Sequence, residues 1–280
     1  MKSTPLISVI TAFLNPGTWL NEAVESVIAQ TCTNWELILV NDGSVQADSE
    51  IALQYAERFP NKIKYVEHPG RTNKGLPVSR NAGISKSSGE FIAVLDADDL
   101  WLPEKLQYQL DLFAQMPEVQ MICEPAIFWY SWADRNAKDE LFLLGAPEGV
   151  YQPPALMKLL YPLGTGQPPC PSGMIIKKEA LERCGGFQEN FSGVFQLYED
   201  QAFFSKVYSA EVIYFSEKAN NYYRKRENSM SSEAANESTY QKVRLYYAAW
   251  LRDYLSQSNQ SDPGVIKLLN DFQESLLTEG

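Results

Sequence analysis

The first hundred residues alternate between short, mainly apolar runs and amphipathic stretches. Leu6 to Phe13 reads as a buried strand, closed by the turn residues Asn15, Pro16 and Gly17. Leu20, Ala23, Val24, Val27 and Ile28 then recur at helical spacing. Glu36 to Val40 predicts a second strand, ended by Asn41-Asp42-Gly43-Ser44. Ile51, Leu53, Tyr55, Ala56 and Phe59 predict a second helix, stopped by Pro60, and Ile63 to Val66 a third strand. Pro77 suits the first turn of a third helix that runs to about Lys86. Phe91 to Leu95 predicts a fourth strand that enters Asp96-Ala97-Asp98-Asp99, and Pro103 opens a fourth helix. Repeated β-α units of this length imply an α/β fold with a mostly parallel sheet and right-handed crossovers.

The rhythm changes after about residue 118. Val119 to Trp132 is apolar and aromatic, and predicts a longer strand or a hairpin. Residues 145–173 are rich in Pro and Gly, with one short helix near Ala155 to Tyr161. Gly173 to Lys177 predicts a strand and Lys178 to Cys184 a helix, capped by Gly185-Gly186. Asp200 to Tyr208 reads as a helix, Val212 to Phe215 as a strand, and Glu237 to Leu255 and Val265 to Leu277 as C-terminal helices.

Composition narrows the function. The 280 residues carry 24 Lys and Arg against 35 Asp and Glu, a net charge of −11. That balance opposes nucleic-acid binding, whose affinity comes mostly from Lys and Arg against phosphates. It also opposes a broad polybasic membrane patch. The single histidine, His68, rules out multi-His metal sites, and beside Pro69 it reads as a loop residue after strand three. Cys32, Cys123, Cys170 and Cys184 form no CxxC, so a reducing compartment is expected and a disulfide framework is not. The N-terminus lacks the pattern of a signal peptide, and no stretch approaches the roughly 20 apolar residues of a membrane span.

In an open α/β sheet, ligands bind outside the carboxyl ends of the strands. Asn15, Asp42-Gly43-Ser44 and Asp96-Ala97-Asp98-Asp99 all fall at such ends and should converge on one cleft. No GxGxxG opens the first helix and no GxxxxGK[ST] occurs, which disfavours a nicotinamide site and a P-loop. Three carboxylates in four residues repel one another unless a cation or hydrogen-bond donors neutralise them. Mg²⁺ or Mn²⁺ would take one or two of them plus substrate phosphates. The plainer alternative is that Asp98 or Asp99 caps the following helix.

These motifs together resemble a family 2 inverting glycosyltransferase with the GT-A, Rossmann-like fold. The resemblance runs from Ile7-Ser8-Val9-Ile10 and Asn15 through Ser26 to Gln30 and Trp35 to Ser44. It continues over Gly75 to Gly83 and Gly89 to Asp99, then Gly185-Gly186-Phe187, Glu199-Asp200 and Tyr223-Arg224, covering about residues 6–231. It implies that Asp42 accepts from the base of the nucleotide, expected to be uracil, and that Arg80 lies beside the nucleotide. Asp96 and Asp98 match the family's DxD pair, Asp96 towards ribose or metal and Asp98 as the direct ligand of Mn²⁺ or Mg²⁺. Asp200 matches the general base, with Glu199 as the alternative. A carboxylate base needs no histidine and no enzyme nucleophile.

Two departures stand out. Ala12 and Leu14 replace the family's Pro and Tyr before the strand-one Asn. Arg226 stands three residues after Tyr223, where a His is common. An Arg cannot ligate metal but can clamp phosphate bidentately, so Arg224, Lys225 or Arg226 is expected to hold the diphosphate; an exposed basic strand end is the rival reading. The Phe128 to Trp132 run reads as aromatic strand packing before acceptor-sugar stacking. Tyr246, Tyr247 and Trp250 read as core or dimer packing before an acceptor groove.

The expected organisation is one GT-A domain with a nucleotide-sugar half over 1–118, an acceptor and catalytic-base half over 119–231, and a helical extension over 232–280. The expected reaction moves a sugar from a nucleotide-diphosphate donor to a glycan or lipid-linked sugar acceptor, in surface polysaccharide or glycolipid synthesis. Homodimerisation is admitted. The expected place is the cytoplasm, or the inner face of the membrane as a peripheral protein. The rivals are a non-catalytic nucleotide-sugar-binding protein and a sugar nucleotidyltransferase; the latter's Gly-rich, Arg-containing loop is missing after strand one.

Overall fold

The computed structural model describes residues 5–226, 237–258, 260 and 262–278. The end of the motif-bearing stretch, residues 227–231, lies outside the described residues. Four parallel strands build the N-terminal half: β1 (Ile7–Phe13), β2 (Trp35–Asn41), β3 (Ile63–Glu67) and β4 (Phe91–Val94). Helices α1 (Trp19–Ile28), α2 (Gln46–Arg58) and α3 (Leu76–Ser85) connect them, as the alternation predicted.

Strands β1, β2 and β4 are buried on both faces, and period-two alternation divides their side chains between two cores. Val9, Leu37, Leu39 and Ala93 enter one cluster, while Ile10, Ile38, Val40 and Ile92 enter the other. The first cluster is closed by α1 and by α4 (Lys105–Gln115).

Four further strands extend the sheet to the order β3-β2-β1-β4-β10-β6-β11-β9. They are β6 (Met121–Cys123), β9 (Gly149–Tyr151), β10 (Met174–Lys177) and β11 (Ile213–Phe215). The added half is mixed: β10 runs antiparallel to both β4 and β6, and β9 antiparallel to β11. The sheet is therefore continuous across residue 118.

A second sheet, in the order β5-β12-β7-β8, was not legible in the pattern. It contains β5 (Leu100–Trp101), β7 (Ala126–Trp129), β8 (Glu140–Phe142) and β12 (Asn221–Arg224). The apolar run Val119 to Trp132 is thus neither one strand nor a hairpin. It breaks at Glu124-Pro125, because proline offers no ladder donor and Glu124 is committed to a buried ion pair with Lys105 at 2.8 Å. The residues before the break join the large sheet and those after it the small one.

The C-terminal helices α8 (Glu237–Gln257) and α9 (Pro263–Thr278) pack into the second core through Val243, Tyr247, Leu251, Leu269 and Phe272. They also brace the element that carries the expected base. That element is a 3-10 turn over Gly193–Tyr198, followed by α7 (Glu199–Ala210). Phe195 stacks on Tyr246 at 4.0 Å, and Tyr247 bonds Ser205 at 2.6 Å. Helices α5 (Ala155–Leu159) and α6 (Lys178–Arg183) add Leu156, Met157, Ala180 and Leu181 to the same core as α7.

Candidate functional site

The strand-end loops meet in one cleft beyond β1, β2 and β4, divided into two cavities. One, of about 310 Å³, is lined by Asn15, Asp42, Asp96, Asp98, Arg224 and Arg226, with Trp19 and Ala12. The other, of about 350 Å³, is lined by Arg80, Asp96, Glu199, Asp200, Phe128 and Lys225. Leu76, Asp96, Gln196 and Tyr223 face both. The nine residues expected to bind donor or metal or to act as base thus reach one cleft, but on two sides of a shared wall.

On the first side, Asp42 is fixed by backbone. Its carboxylate accepts from Lys74 N at 2.7 Å and Gly75 N at 3.1 Å. Gly43 adopts φ +87°, and a Cβ there would come within 2.7 Å of Asn73 N. Glycine is required both for the backbone angle and for this close approach. Asn15, at φ 50°, accepts from Val45 N at 2.8 Å and so ties the β1 loop to the β2 loop. His68 does follow β3, but it is buried: its Nε2 lies 2.8 Å from Ser79 Oγ and 3.6 Å from Asp42 Oδ1. It belongs to the rear support of Asp42.

The Asp96-Ala97-Asp98-Asp99 loop distributes its carboxylates. Asp99 turns inward and takes Ser172 Oγ at 2.6 Å and Arg224 N at 3.0 Å. Burial, then repulsion by Asp98 and Asp96, pushes its pKa well above the usual carboxylate range. Ser172 also receives Asp96 N at 3.1 Å, so one serine hydroxyl organises two loop residues. Asp98 faces the cavity and pairs with Arg226 at 2.8 Å. Its pKa is raised by burial and by Asp96, against the pull of Arg226.

Arg80 lies on the second side. Its guanidinium is fully buried, with one Nη on Asp96 Oδ1 at 2.6 Å and the other on Glu199 Oε1 in a very short contact. Arg80 therefore bridges the strand-four loop to α7. Both carboxylates hold it charged, raising its pKa against the opposing effect of burial. Glu199 Oε2 is buried without a partner among the described residues. Asp200, in the first turn of α7, faces the cavity, and burial pushes its pKa up to about 6. Burial likewise pushes Glu199 up, to about 8, although Arg80 opposes the shift.

The basic run divides where the chain leaves the end of β12. Arg224 is enclosed by the indoles of Trp19, Trp129 and Trp132, at 5.4, 4.4 and 5.0 Å. It donates to Asp98 O at 2.7 Å and to Glu22 at 2.7 Å. It borders the first cavity as a pin for the aspartate loop, and it is buried rather than an exposed strand end. Arg226 reaches the same side. Lys225 turns to the other.

Among the described residues, no group of three or more His, Cys, Asp and Glu is placed to hold a metal ion. The donor set nonetheless fits a hard cation bound with phosphate: Asp98, raised in pKa and paired only through Oδ2 to Arg226, shares its cavity with Asp96. One or two carboxylates plus phosphate oxygens is the usual Mg²⁺ arrangement.

The model of the family described as Glycosyl transferase family 2 matches residues 8–185. The chain belongs to that family. This family-2 chain is 30% identical over 188 residues to EpsE of Bacillus subtilis (strain 168), a candidate glycosyltransferase; the match covers 67% of this chain and 62% of EpsE. The chain thus spans less than two thirds of that relative. Its fold is similar to that of S. aureus TarS residues 1–349 in complex with UDP-GlcNAc, at TM-score 0.63 and 24% identity, over 87% of this chain and 65% of that one. It is also similar to the mannosyltransferase PcManGT of Pyrobaculum calidifontis in complex with GDP-Man and Mn²⁺, at TM-score 0.59 and 16% identity, over 97% and 70%. Among the described residues no helix is long and apolar enough to cross a membrane.

Sequence reasoning missed Ser172 and Gln196, and gave no site role to Leu76 or His68. Gln196 accepts from Leu76 N at 2.9 Å, across 120 positions of chain. Ser172 and Gln196 lie in no motif whose residue types signal chemistry, so only the pairing of distant segments reveals them.

Proposed function

We propose that the chain transfers a sugar from a UDP-sugar to an acceptor hydroxyl with inversion, in polysaccharide or glycolipid synthesis. The observation that carries this reading is the shared wall: Asp96 faces both cavities, Asp98 only the first, and Asp200 only the second. A donor diphosphate in the first cavity would bring its anomeric carbon to that wall. An acceptor in the second would approach from the side of Asp200.

Asp42 would accept a hydrogen bond from the base, since Lys74 N and Gly75 N already hold its carboxylate in place. Arg226 would donate to the diphosphate. A divalent cation held by Asp98, Asp96 and the phosphates would neutralise the charge on the departing diphosphate. Asp200 would take the acceptor proton as the acceptor oxygen bonds to the anomeric carbon. The bond from that carbon to the phosphate oxygen breaks on the opposite face, and the electron pair leaves with UDP. Glu199, engaged by Arg80, positions this arrangement, and Asp200 is the preferred base.

The UDP-GlcNAc complex of TarS and the GDP-Man and Mn²⁺ complex of PcManGT support a nucleotide-sugar donor and a cation as working expectations. The test is a panel of UDP-, GDP- and dTDP-sugars, read as hydrolysis and transfer with and without EDTA. Turnover of a UDP-sugar is expected; affinity without turnover would favour a nucleotide-sugar-binding protein instead.

A further inference from the structure

The acceptor side of the cleft holds a cation that the donor side does not use. Lys225 lines the second cavity and is absent from the first. Its ammonium sits 4.5 Å from the Phe128 ring centroid and 5.4 Å from that of Tyr223. Phe128 is itself stacked on Phe142 at 4.3 Å and 16°. Stacked on Phe142 and carrying Lys225 over its ring, Phe128 is a support for the ammonium.

The neighbours on the strand make the contrast. Arg224 and Arg226 each have a carboxylate, Glu22 and Asp98. Among the described residues, the Lys225 ammonium meets none at ion-pair distance, although the chain carries 35 acidic side chains. A half-buried ammonium held on aromatic rings keeps part of its desolvation cost uncompensated until an anion arrives. The end of β12 places it across from the groups that would serve the donor.

We propose that Lys225 reads an oxyanion on the acceptor, so that the acceptor is an anionic glycan bearing a uronate carboxylate or a phosphate. The inference rests on the assignment of the second cavity to the acceptor under the proposed function. The oxyanion would meet Lys225 while the reacting hydroxyl faces Asp200.

The test is calorimetric titration of the full chain with methyl β-D-glucuronide, glucose 6-phosphate and methyl β-D-glucoside. Each is run with Mg²⁺, with and without UDP. At least one anion is expected to bind roughly tenfold or more tightly than the neutral glucoside, the size of one charge-assisted hydrogen bond. Lys225→Gln should remove that preference and Lys225→Arg should keep most of it; the melting temperature of each variant checks folding. Preference for the glucuronide alone identifies a carboxylate acceptor, and for the phosphate alone a phosphorylated one. Equal binding of all three probes, no binding by either anion, or a preference that survives Lys225→Gln would overturn the inference. UDP binding is read in the same titrations: its absence would count against the donor reading, while UDP binding without anion preference would defeat only the role of Lys225.

Discussion

Arg226 Nη2 lies 2.8 Å from Asp98 Oδ2, which couples the expected diphosphate clamp to the expected metal ligand. The Arg226 Nε, by contrast, has no partner among the described residues. Donor phosphate would satisfy that nitrogen and compete with Asp98 for the rest of the guanidinium. Charge-assisted bonds of this kind contribute about 1.5–3 kcal/mol. Arg226→Ala should therefore weaken UDP binding by roughly tenfold or more in EDTA, measured by calorimetry. Unchanged affinity would remove Arg226 from the donor site.

Asp98 is expected to matter through the cation. Asp98→Ala should lose most transfer activity in Mn²⁺ or Mg²⁺. Wild-type activity should fall to a similar level on chelation. An Asp98→Ala variant that remains fully active in EDTA would refute the metal assignment.

The pH dependence follows from Asp200. Burial raises its pKa to about 6, and a general base works only when ionised. The transfer rate should thus be flat above that value and fall about tenfold per unit below it. Asp200→Asn should abolish the profile along with the rate while UDP still binds. A rate independent of pH between 5 and 7, or wild-type turnover in Asp200→Asn, would assign the proton to another group.

Arg80 links the carboxylate of Asp96 to that of Glu199, which lies 119 positions beyond Arg80 in the chain. Its removal leaves the buried Glu199 and the half-buried Asp96 without their shared cation. Losing one partner of a buried pair typically costs about 3–5 kcal/mol. Arg80→Met should lower stability by that order in urea denaturation and reduce transfer as well. A variant of unchanged stability would mean that water or a shift in protonation replaces the bridge.

Gly43 tests the donor loop separately. Alanine there must adopt a positive φ, which costs about 1–2 kcal/mol, and its Cβ would collide with Asn73 N. The Asn73 to Gly75 segment should move and Asp42 should lose its two backbone donors. Gly43→Ala is expected to weaken UDP binding and leave the C-terminal helices intact. Tight UDP binding in this variant would show that Asp42 does not depend on the loop.

The sequence made the first hundred residues legible because their signals are local. Buried parallel strands appear as apolar runs such as Glu36 to Val40, and helices as 3.6-residue spacing. Strand ends by themselves place Asn15, Asp42, Asp96 and Asp98 near one cleft. After residue 118 elements such as Gly173 to Lys177, Val212 to Phe215 and the C-terminal helices were still legible, but the pairing of strands of three or four residues across long separations was not. The apolar run from Val119 to Trp132 has one hydrophobic pattern but serves two sheets, and β5 is only two residues long.

Residue types and their order by themselves determined the family motifs, the parallel β-α half and the convergence of acidic loops. What the tertiary structure alone decided is the direction and company of each charged side chain. Arg224, Lys225 and Arg226 are equivalent as a basic run. Three indoles and Glu22 make the first a pin, Phe128 and Tyr223 hold the second toward the other cavity, and Asp98 receives the third. His68 is the loop residue after strand three that the sequence predicts, but only the fold closes Ser79 and Asp42 around it. The reason is physical: a strand or helix follows from neighbours a few residues away, whereas the state of a buried charge depends on partners delivered by distant parts of the chain.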